Sequence, residues 1–156
     1  MNNIFIQKGV VNLLVSDDAD PNKLFSLIQG ALSSWGALNF NAKENKLSFE
    51  GGRFIKSNMN PIMGVSSGDL EIYTYRGNYC IRYKLKLKHL FYWGVLAAFM
   101  FGIVVATNTE TSAFTSILAG IGAGAFGFGF IYFGYYASTI IRFPRFLQRA
   151  VSNEKS

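Results

Sequence analysis

Two long stretches of apolar residues dominate the second half of the chain. They extend from Leu90 to Thr107 and from Ala113 to Ile141, and the polar residues Asn108 to Ser112 separate them. A helix needs about 20 apolar residues to cross the ~30 Å hydrocarbon layer of a bilayer. The pattern therefore predicts two membrane-spanning helices, about 90–107 and 113–141, that run antiparallel as a hairpin joined by the loop 108–112.

Residues 1–88 show the alternation of apolar and polar positions that is typical of strands. The runs 4–7 and 10–15 predict one strand with a bulge around Gly9, or two short strands. A β-hairpin is predicted around NAKENK, with Leu38, Phe40, Leu47 and Phe49 on one apolar face. A second β-hairpin is predicted to join Asp69–Tyr75 to Tyr79–Lys88 through RGN.

One segment of this first part has the period of a helix instead. Asp20 is a suitable N-cap, Pro21 fits the first helical position and Gly36 is a typical stop. The apolar positions between them recur at helical spacing: Leu24, Leu27, Ile28, Ala31, Leu32 and Trp35. The fold class expected for residues 1–88 is therefore α+β, an antiparallel sheet with one main helix, and a two-helix transmembrane hairpin follows it.

The distribution of charge divides the chain at the same places. Charged residues make up 15% of the chain, against about 25% in soluble proteins, and Glu110 is the one ionised side chain between His89 and Ile141. We therefore expect a cytoplasmic α+β domain at 1–88, a transmembrane hairpin at 89–141 and a basic amphipathic cytoplasmic tail at 142–156, with the helix ended or kinked by Pro144.

Basic residues flank the hairpin at its open end, and the loop 108–112 has none. They are Arg82, Lys84, Lys86 and Lys88 before the first helix and Arg142, Arg145 and Arg149 after the second. By the positive-inside rule both termini face the cytoplasm, which predicts a two-span protein of the cell or inner membrane.

The same seven cations are candidate contacts for anionic lipid headgroups. In the segment CIRYKLKLK the cations alternate with apolar residues, so they share the face of the strand that points away from the core. Topology determination, a solvated face that blocks edge pairing and an acidic partner are alternatives. Nucleic acid is not expected as a partner, because this face has no aromatic residues on which bases could stack.

A glycine-rich segment, GIGAGAFGFGF, contains the pattern G-x-G-x-x-G at Gly122, Gly124 and Gly127. A dinucleotide-binding loop would need a further strand and an acidic residue about 20 residues later, but the chain reads RFPRFLQR there. Close packing of helices in lipid is the better interpretation. One small-residue face of the second helix, with Gly120, Gly124, Gly127 and Gly134, is expected to pack on Gly94, Ala98 and Gly102 of the first helix. The opposite face, with Gly122, Ala125 and Gly129, is then a candidate oligomer face.

Catalytic constellations are not evident in the sequence. His89 is the only histidine, and no nucleophile has a base beside it in a recognisable motif. We therefore expect no enzymatic activity, no metal and no cofactor. The function expected is that of a membrane-localised, oligomeric binding or adaptor module whose cytoplasmic domain recognises an unknown protein or small-molecule ligand. The alternative is a membrane effector whose hairpins assemble into a pore or perturb the bilayer.

Overall fold

A computed structural model describes residues 6–16, 20–51, 60–62, 64–108 and 112–152, with only the backbone of residues 14–16. Residues 1–5, 17–19, 52–59 and 63, residues 109–111 of the predicted loop and residues 153–156 of the predicted tail lie outside these ranges. Within them the chain divides into two compact units, Met1–Lys88 with Ser138–Ser156, and His89–Ala137.

Five strands and three helices make up the described chain. In order they are β1 (Ile6–Ser16), α1 (Pro21–Ser34), β2 (Leu38–Lys43), β3 (Lys46–Glu50), β4 (Ser67–Tyr75), β5 (Asn78–Lys86), α2 (Lys88–Asn108) and α3 (Ala113–Ser152). The architecture is consistent with the predicted α+β domain followed by a hairpin of two long apolar helices.

The five strands form one antiparallel sheet in the order β1-β5-β4-β3-β2. The predicted hairpin at RGN joins β4 to β5, and Arg76 and Gly77 both have positive φ, of 53° and 73°. Two successive positive φ values are typical of a type I′ turn, whose twist matches the right-handed twist of the two strands. The described residues of the first two apolar runs form the single strand β1, but its irregularity falls between Asn12 and Ser16, not at Gly9.

Helix α1 has the ends that the sequence predicts. The side chain of Asp20 accepts a hydrogen bond of 2.9 Å from the backbone N–H of Asn22, and Pro21 is the first helical residue. At the other end Gly36 has a φ of 91°, which favours glycine. Leu24, Phe25, Ile28 and Leu32 are buried against the sheet, whereas Ala31 and Trp35 are only half-buried.

The predicted apolar face of the β2–β3 hairpin is only partly realised. Leu47 and Phe49 are buried, and the ring of Phe40 lies 6.4 Å from that of Phe49, but Leu38 is 52% exposed. The register shifts between Leu38 and Asn41, where Asn39 has a φ of 51°. A bulge of this kind turns the residues beyond it to the other face, so Leu38 leaves the core.

The last turns of α3 pack on the sheet as a second core helix, which the sequence did not predict. The helix continues through Pro144 to Ser152 and buries Phe143, Leu147 and Val151. Phe143 meets Tyr83 of β5 edge-on with ring centroids 5.2 Å apart. Gln148 Nε2 donates a hydrogen bond of 3.3 Å to the carbonyl oxygen of Asn12 in β1. This segment therefore contacts β1 and β5, whereas α1 contacts β2.

Gly9 allows the ring of Tyr83 to lie over β1, and this contact can be tested by substitution. A Cβ at Gly9 would overlap the phenol ring of Tyr83, which is itself buried. We expect Gly9→Ala to lower the free energy of unfolding by about 1–3 kcal/mol, the usual cost of overpacking. The measurement is urea unfolding of the full chain in detergent, followed by circular dichroism.

Gly30→Ala is the matched control, because a Cβ at Gly30 of α1 meets nothing within 4 Å. It is expected to stabilise the protein by roughly 0.5–1 kcal/mol, through helix propensity alone. Equal stability of Gly9→Ala and the unmodified chain would show that the Tyr83 ring is not confined at this position.

Candidate functional site

Six of the predicted helix-packing residues come together where α2 and α3 meet. A Cβ at Gly120 would lie 2.7 Å from the carbonyl oxygen of Gly102, and one at Gly124 would lie 2.7 Å from that of Ala98. A Cβ at Gly127 would lie 2.8 Å from the ring of Phe101, and one at Gly94 would lie 2.9 Å from the ring of Phe128. Gly134 is different, because a Cβ there would have no neighbour within 4 Å.

The opposite face of α3, the candidate oligomer face, is open in the single chain. A Cβ at Gly122 would meet nothing within 4 Å, and one at Gly129 would meet only Phe133 of the same helix, at 3.9 Å. Ala125 is exposed as well. Small residues on this face therefore leave a shallow surface that no described part of the chain covers.

The basic residues of β5 lie on the uncovered face of the sheet among acidic neighbours. Glu71 of β4 pairs with both Arg82 and Lys46, at 3.3 and 3.6 Å, and Arg82 lies 5.1 Å from the centre of the Tyr73 ring. Lys84 is opposite Asp69 in the register, and Lys86 is opposite Ser67. Because β5 pairs with β1 on one side and β4 on the other, its cations do not block a sheet edge.

A pocket of about 600 Å³ lies between α1 and the last turns of α3, and the three arginines that follow the apolar stretch line it. This volume is within the usual range for small-molecule sites. We call it the arginine pocket, and its lining residues are Ala31, Ser34, Trp35, Pro61, Arg142, Arg145, Phe146, Arg149 and Ala150. All of them belong to the first compact unit.

Helical geometry explains why the three arginines share this pocket. At 100° per residue, positions 142, 145 and 149 fall within about 60° of one another around the axis of α3. The stripe Phe143, Leu147 and Val151, which is buried, lies on the nearly opposite side of the same helix, about 165° away. The arginines are therefore on the exposed side of α3, and Phe146 and Ala150, which lie between the two stripes, line the pocket with them.

Residues at the end of α1 form the other wall of the arginine pocket. The backbone N–H groups of Gly36 and Ala37 donate to the carbonyls of Ser33 and Leu32, at 2.9 and 3.0 Å, which is a Schellman motif. Asn60 then ties the following segment to the helix: its Nδ2 donates to the carbonyl oxygen of Trp35 at 3.2 Å, and its Oδ1 accepts from the backbone N–H of Ile62 at 2.9 Å. These bonds fix Trp35 and Pro61 in the lining.

Four carbonyls at the end of α1 have partners other than the arginines. The hydroxyl of Ser34 donates to the carbonyl of Ala31 at 2.7 Å, and the Schellman motif and Asn60 satisfy those of Leu32, Ser33 and Trp35. Among the residues that the structure describes, no carboxylate lines the pocket or pairs with Arg145 or Arg149. The pocket is therefore a basic site, lined by three exposed arginines and large enough for a ligand.

Sequence reasoning found the arginines but not the residues across from them. Arg142, Arg145 and Arg149 were predicted as headgroup contacts on a separate tail, whereas the structure groups them around one pocket with Trp35, Pro61 and Phe146. The position of Trp35 directly before the predicted stop Gly36 was the available signal, because tryptophan is favoured where one part of its ring system is apolar and the other meets water.

The described part of the chain contains no cluster of metal-binding side chains. No group of three or more His, Cys, Asp or Glu side chains there could hold a metal ion. The single cysteine, Cys80, is a buried free thiol. The arginine pocket brings three guanidinium groups together, a lining that is chemically suited to an anion.

Comparison with known proteins returned no match, whether against protein-family models, curated proteins or solved structures. The class of protein is therefore defined by the fold itself. It is a small α+β protein with a five-stranded antiparallel sheet, two long apolar helices and a basic pocket in the folded domain. Length and composition allow both apolar helices to cross a bilayer.

Two glycines of α3, two residues apart, should respond in opposite ways to the same substitution. Gly124→Leu places a side chain against the backbone of Ala98 and is expected to separate α2 from α3. Gly122→Leu meets open space and is expected to leave the packing of the hairpin intact. Thermal unfolding in detergent, followed by circular dichroism, should show a lower midpoint for Gly124→Leu alone. Equal midpoints would contradict the close approach of the two helices.

Proposed function

We propose that this chain is a small integral membrane protein that acts as a membrane-localised, oligomeric binding module. In this proposal α2 and α3 span the membrane, the α+β domain is cytoplasmic, and the arginine pocket is its ligand site. The observation that carries the proposal is the combination of a basic pocket in the folded domain with two apolar helices whose side chains are mostly uncovered.

The exposure of the apolar helices supports the membrane assignment. A core helix of a soluble protein buries most of its side chains, but in α2 only Leu90 and Gly94 are buried. Large side chains of the two helices are widely exposed: Phe99 at 69%, Phe114 at 72%, and Phe126 and Phe130 at 75% each. Soluble monomers rarely expose apolar patches of more than a few hundred Å². A bilayer covers such a surface without cost.

The distribution of basic residues supports the proposed orientation. Lys88 begins α2, and Arg142 follows the apolar stretch of α3, so the ends of both stretches that join the folded domain carry positive charge. Asn108 and Ser112, which border the connecting loop, are uncharged, and the loop itself has no Lys or Arg. By the positive-inside rule the folded domain then lies in the cytoplasm and the loop on the opposite side.

The open small-residue face of α3 supports self-association. In lipid, helices associate where small residues let backbones approach closely, and Gly122, Ala125 and Gly129 form such a surface with no neighbour in the described chain. A second copy of the hairpin has the same small-residue surface, so two copies can pack against each other through it. Assembly through this face also underlies the alternative function, a pore or a perturbation of the bilayer, which the oligomer experiment below separates from simple anchoring.

The proposed topology predicts which side of the membrane two introduced cysteines occupy. In a Cys80→Ala background, Asn108→Cys at the end of α2 should react with a membrane-impermeant maleimide added to intact cells. Thr74→Cys, at an exposed position of β4, should react only after the membrane is permeabilised. Labelling of both sites in intact cells would rule out the proposed orientation, and extraction of the protein by alkaline carbonate would rule out integral insertion.

The proposed oligomer predicts a loss of mass when its face is filled. We expect the full chain in nanodiscs to have the mass of a defined oligomer, and the variant Gly122→Leu, Gly129→Leu to have the mass of a monomer. Gly134→Leu is the matched control, because it also meets open space but lies more than about 100° away from Gly122 and Gly129 around the helix. A monomer in all three samples would leave the hairpin as an anchor. Leakage of a dye from vesicles that requires the oligomer would favour the pore.

A further inference from the structure

We infer that the arginine pocket binds a phosphate-bearing ligand, with the phosphate held by Arg142, Arg145 and Arg149 and an apolar or flat portion packed on Trp35 and Phe146. The inference rests on the proposed function in that it names the class of ligand for the proposed binding module. Its chemistry nevertheless depends only on residues of the folded domain.

Three guanidinium groups around one cavity are suited to a multiply charged oxyanion. Each presents a planar set of N–H donors that matches the oxygens of a phosphate, and charge-assisted bonds of this kind are about twice as strong as neutral ones. No carboxylate lines the described pocket, and neither Arg145 nor Arg149 pairs with one in the described chain. A doubly charged anion would relieve the mutual repulsion of the three cations.

Other residues fill the structural roles around the arginines, which gives a second reason to regard the pocket as a binding site. They are not required to cap the carbonyls of Ala31, Leu32, Ser33 and Trp35, which accept from Ser34, from the Schellman motif and from Asn60. They are not required for the contact with the sheet either, because Phe143, Leu147 and Val151 make it. Within the described chain, these contacts leave Arg145 and Arg149 available to a ligand.

The rest of the lining favours a ligand that is more than a bare phosphate. Trp35 and Phe146 are half-buried, so each keeps part of its ring exposed, and Pro61 and Ala150 add further apolar surface. A volume of about 600 Å³ exceeds what one phosphate group fills. Stacking and apolar contacts can hold the part of the ligand that carries the phosphate.

Two sources could supply this chemistry, and binding experiments can distinguish them. One is the phosphate of an anionic lipid headgroup, and the other is a soluble phosphorylated molecule. The experiment uses the full chain with Trp93→Phe, so that Trp35 in the pocket is the only tryptophan. Its fluorescence is measured in phosphatidylcholine nanodiscs during titration with inorganic pyrophosphate and with AMP, and again in nanodiscs that contain phosphatidylglycerol. Equilibrium dialysis of both soluble probes measures binding independently of the fluorescence.

We expect saturable binding that the arginines control. Arg145→Gln and Arg149→Gln should each weaken binding by about tenfold or more, the usual effect of losing a charge-assisted hydrogen bond. Arg145→Lys, which keeps the charge but loses the planar set of donors, should fall between them and the unmodified pocket. Arg76→Gln is the matched control, because it removes one positive charge from the same unit at the exposed β4–β5 turn, and it should bind as the unmodified chain does.

Each outcome has a definite meaning. Arginine-dependent binding of AMP or pyrophosphate in neutral nanodiscs identifies a soluble ligand, and an arginine-dependent change of Trp35 fluorescence in phosphatidylglycerol alone identifies a headgroup. Absence of both, or binding that Arg145→Gln and Arg149→Gln leave unchanged, would overturn the inference for a protein whose unfolding transition is normal. Failure of the proposed function is a separate result, because it is read from carbonate extraction and oligomer mass, which these arginine variants should not alter.

Discussion

Packing of Phe143 on Tyr83 is the contact on which most of the folded domain depends. It brings the last turns of α3 onto β5, and the buried stripe of Phe143, Leu147 and Val151 then closes the core beside α1. Burial of side chains of this size contributes about 1.5–3 kcal/mol each. The same contact explains Gly9, because the phenol ring of Tyr83 occupies the place that a side chain there would need. It also sets the rotation of α3, which leaves the arginines on the exposed side of the helix.

The basic residues of β5 and the arginines of α3 have different surroundings, although both sets flank an apolar stretch in the sequence. The cations of β5 lie on an open sheet face where Glu71 and Asp69 are their cross-strand neighbours, and exposed pairs of this kind contribute little to stability. The arginines of α3 face a cavity with aromatic walls instead. Recognition of an anion requires guanidinium donors that are not already paired with carboxylates, and Arg145 and Arg149 meet this requirement within the described chain better than Arg82 does.

Glycine has three physical roles in this chain. At Gly36 and Gly77 it permits a positive φ, which ends α1 and closes the β4–β5 turn. At Gly102, Gly120 and Gly124 it lets two apolar helices approach until backbone atoms nearly touch. At Gly122 and Gly129 it has neither role within the single chain, and this is why these two positions carry the proposal of self-association. Sequence spacing alone does not separate the roles, since a single G-x-G-x-x-G pattern contains Gly122, Gly124 and Gly127.

The sequence by itself determined the elements that depend on local chemistry. Asp20, Pro21 and Gly36 define α1 because capping and backbone conformation act within a few residues, and alternation defined most strands because their side chains point to opposite faces. The length of the two apolar stretches defined α2 and most of α3. Only the tertiary structure decided that β1 pairs with β5, that Leu38 leaves the core at a bulge, and that α3 continues through Pro144 to pack on the sheet. Proline disfavours a helix interior locally, but burial of Phe143, Leu147 and Val151 is a long-range contact that local propensity does not contain. The arginine pocket follows the same rule, since it joins Trp35 and Pro61 to residues more than 80 positions away in the chain.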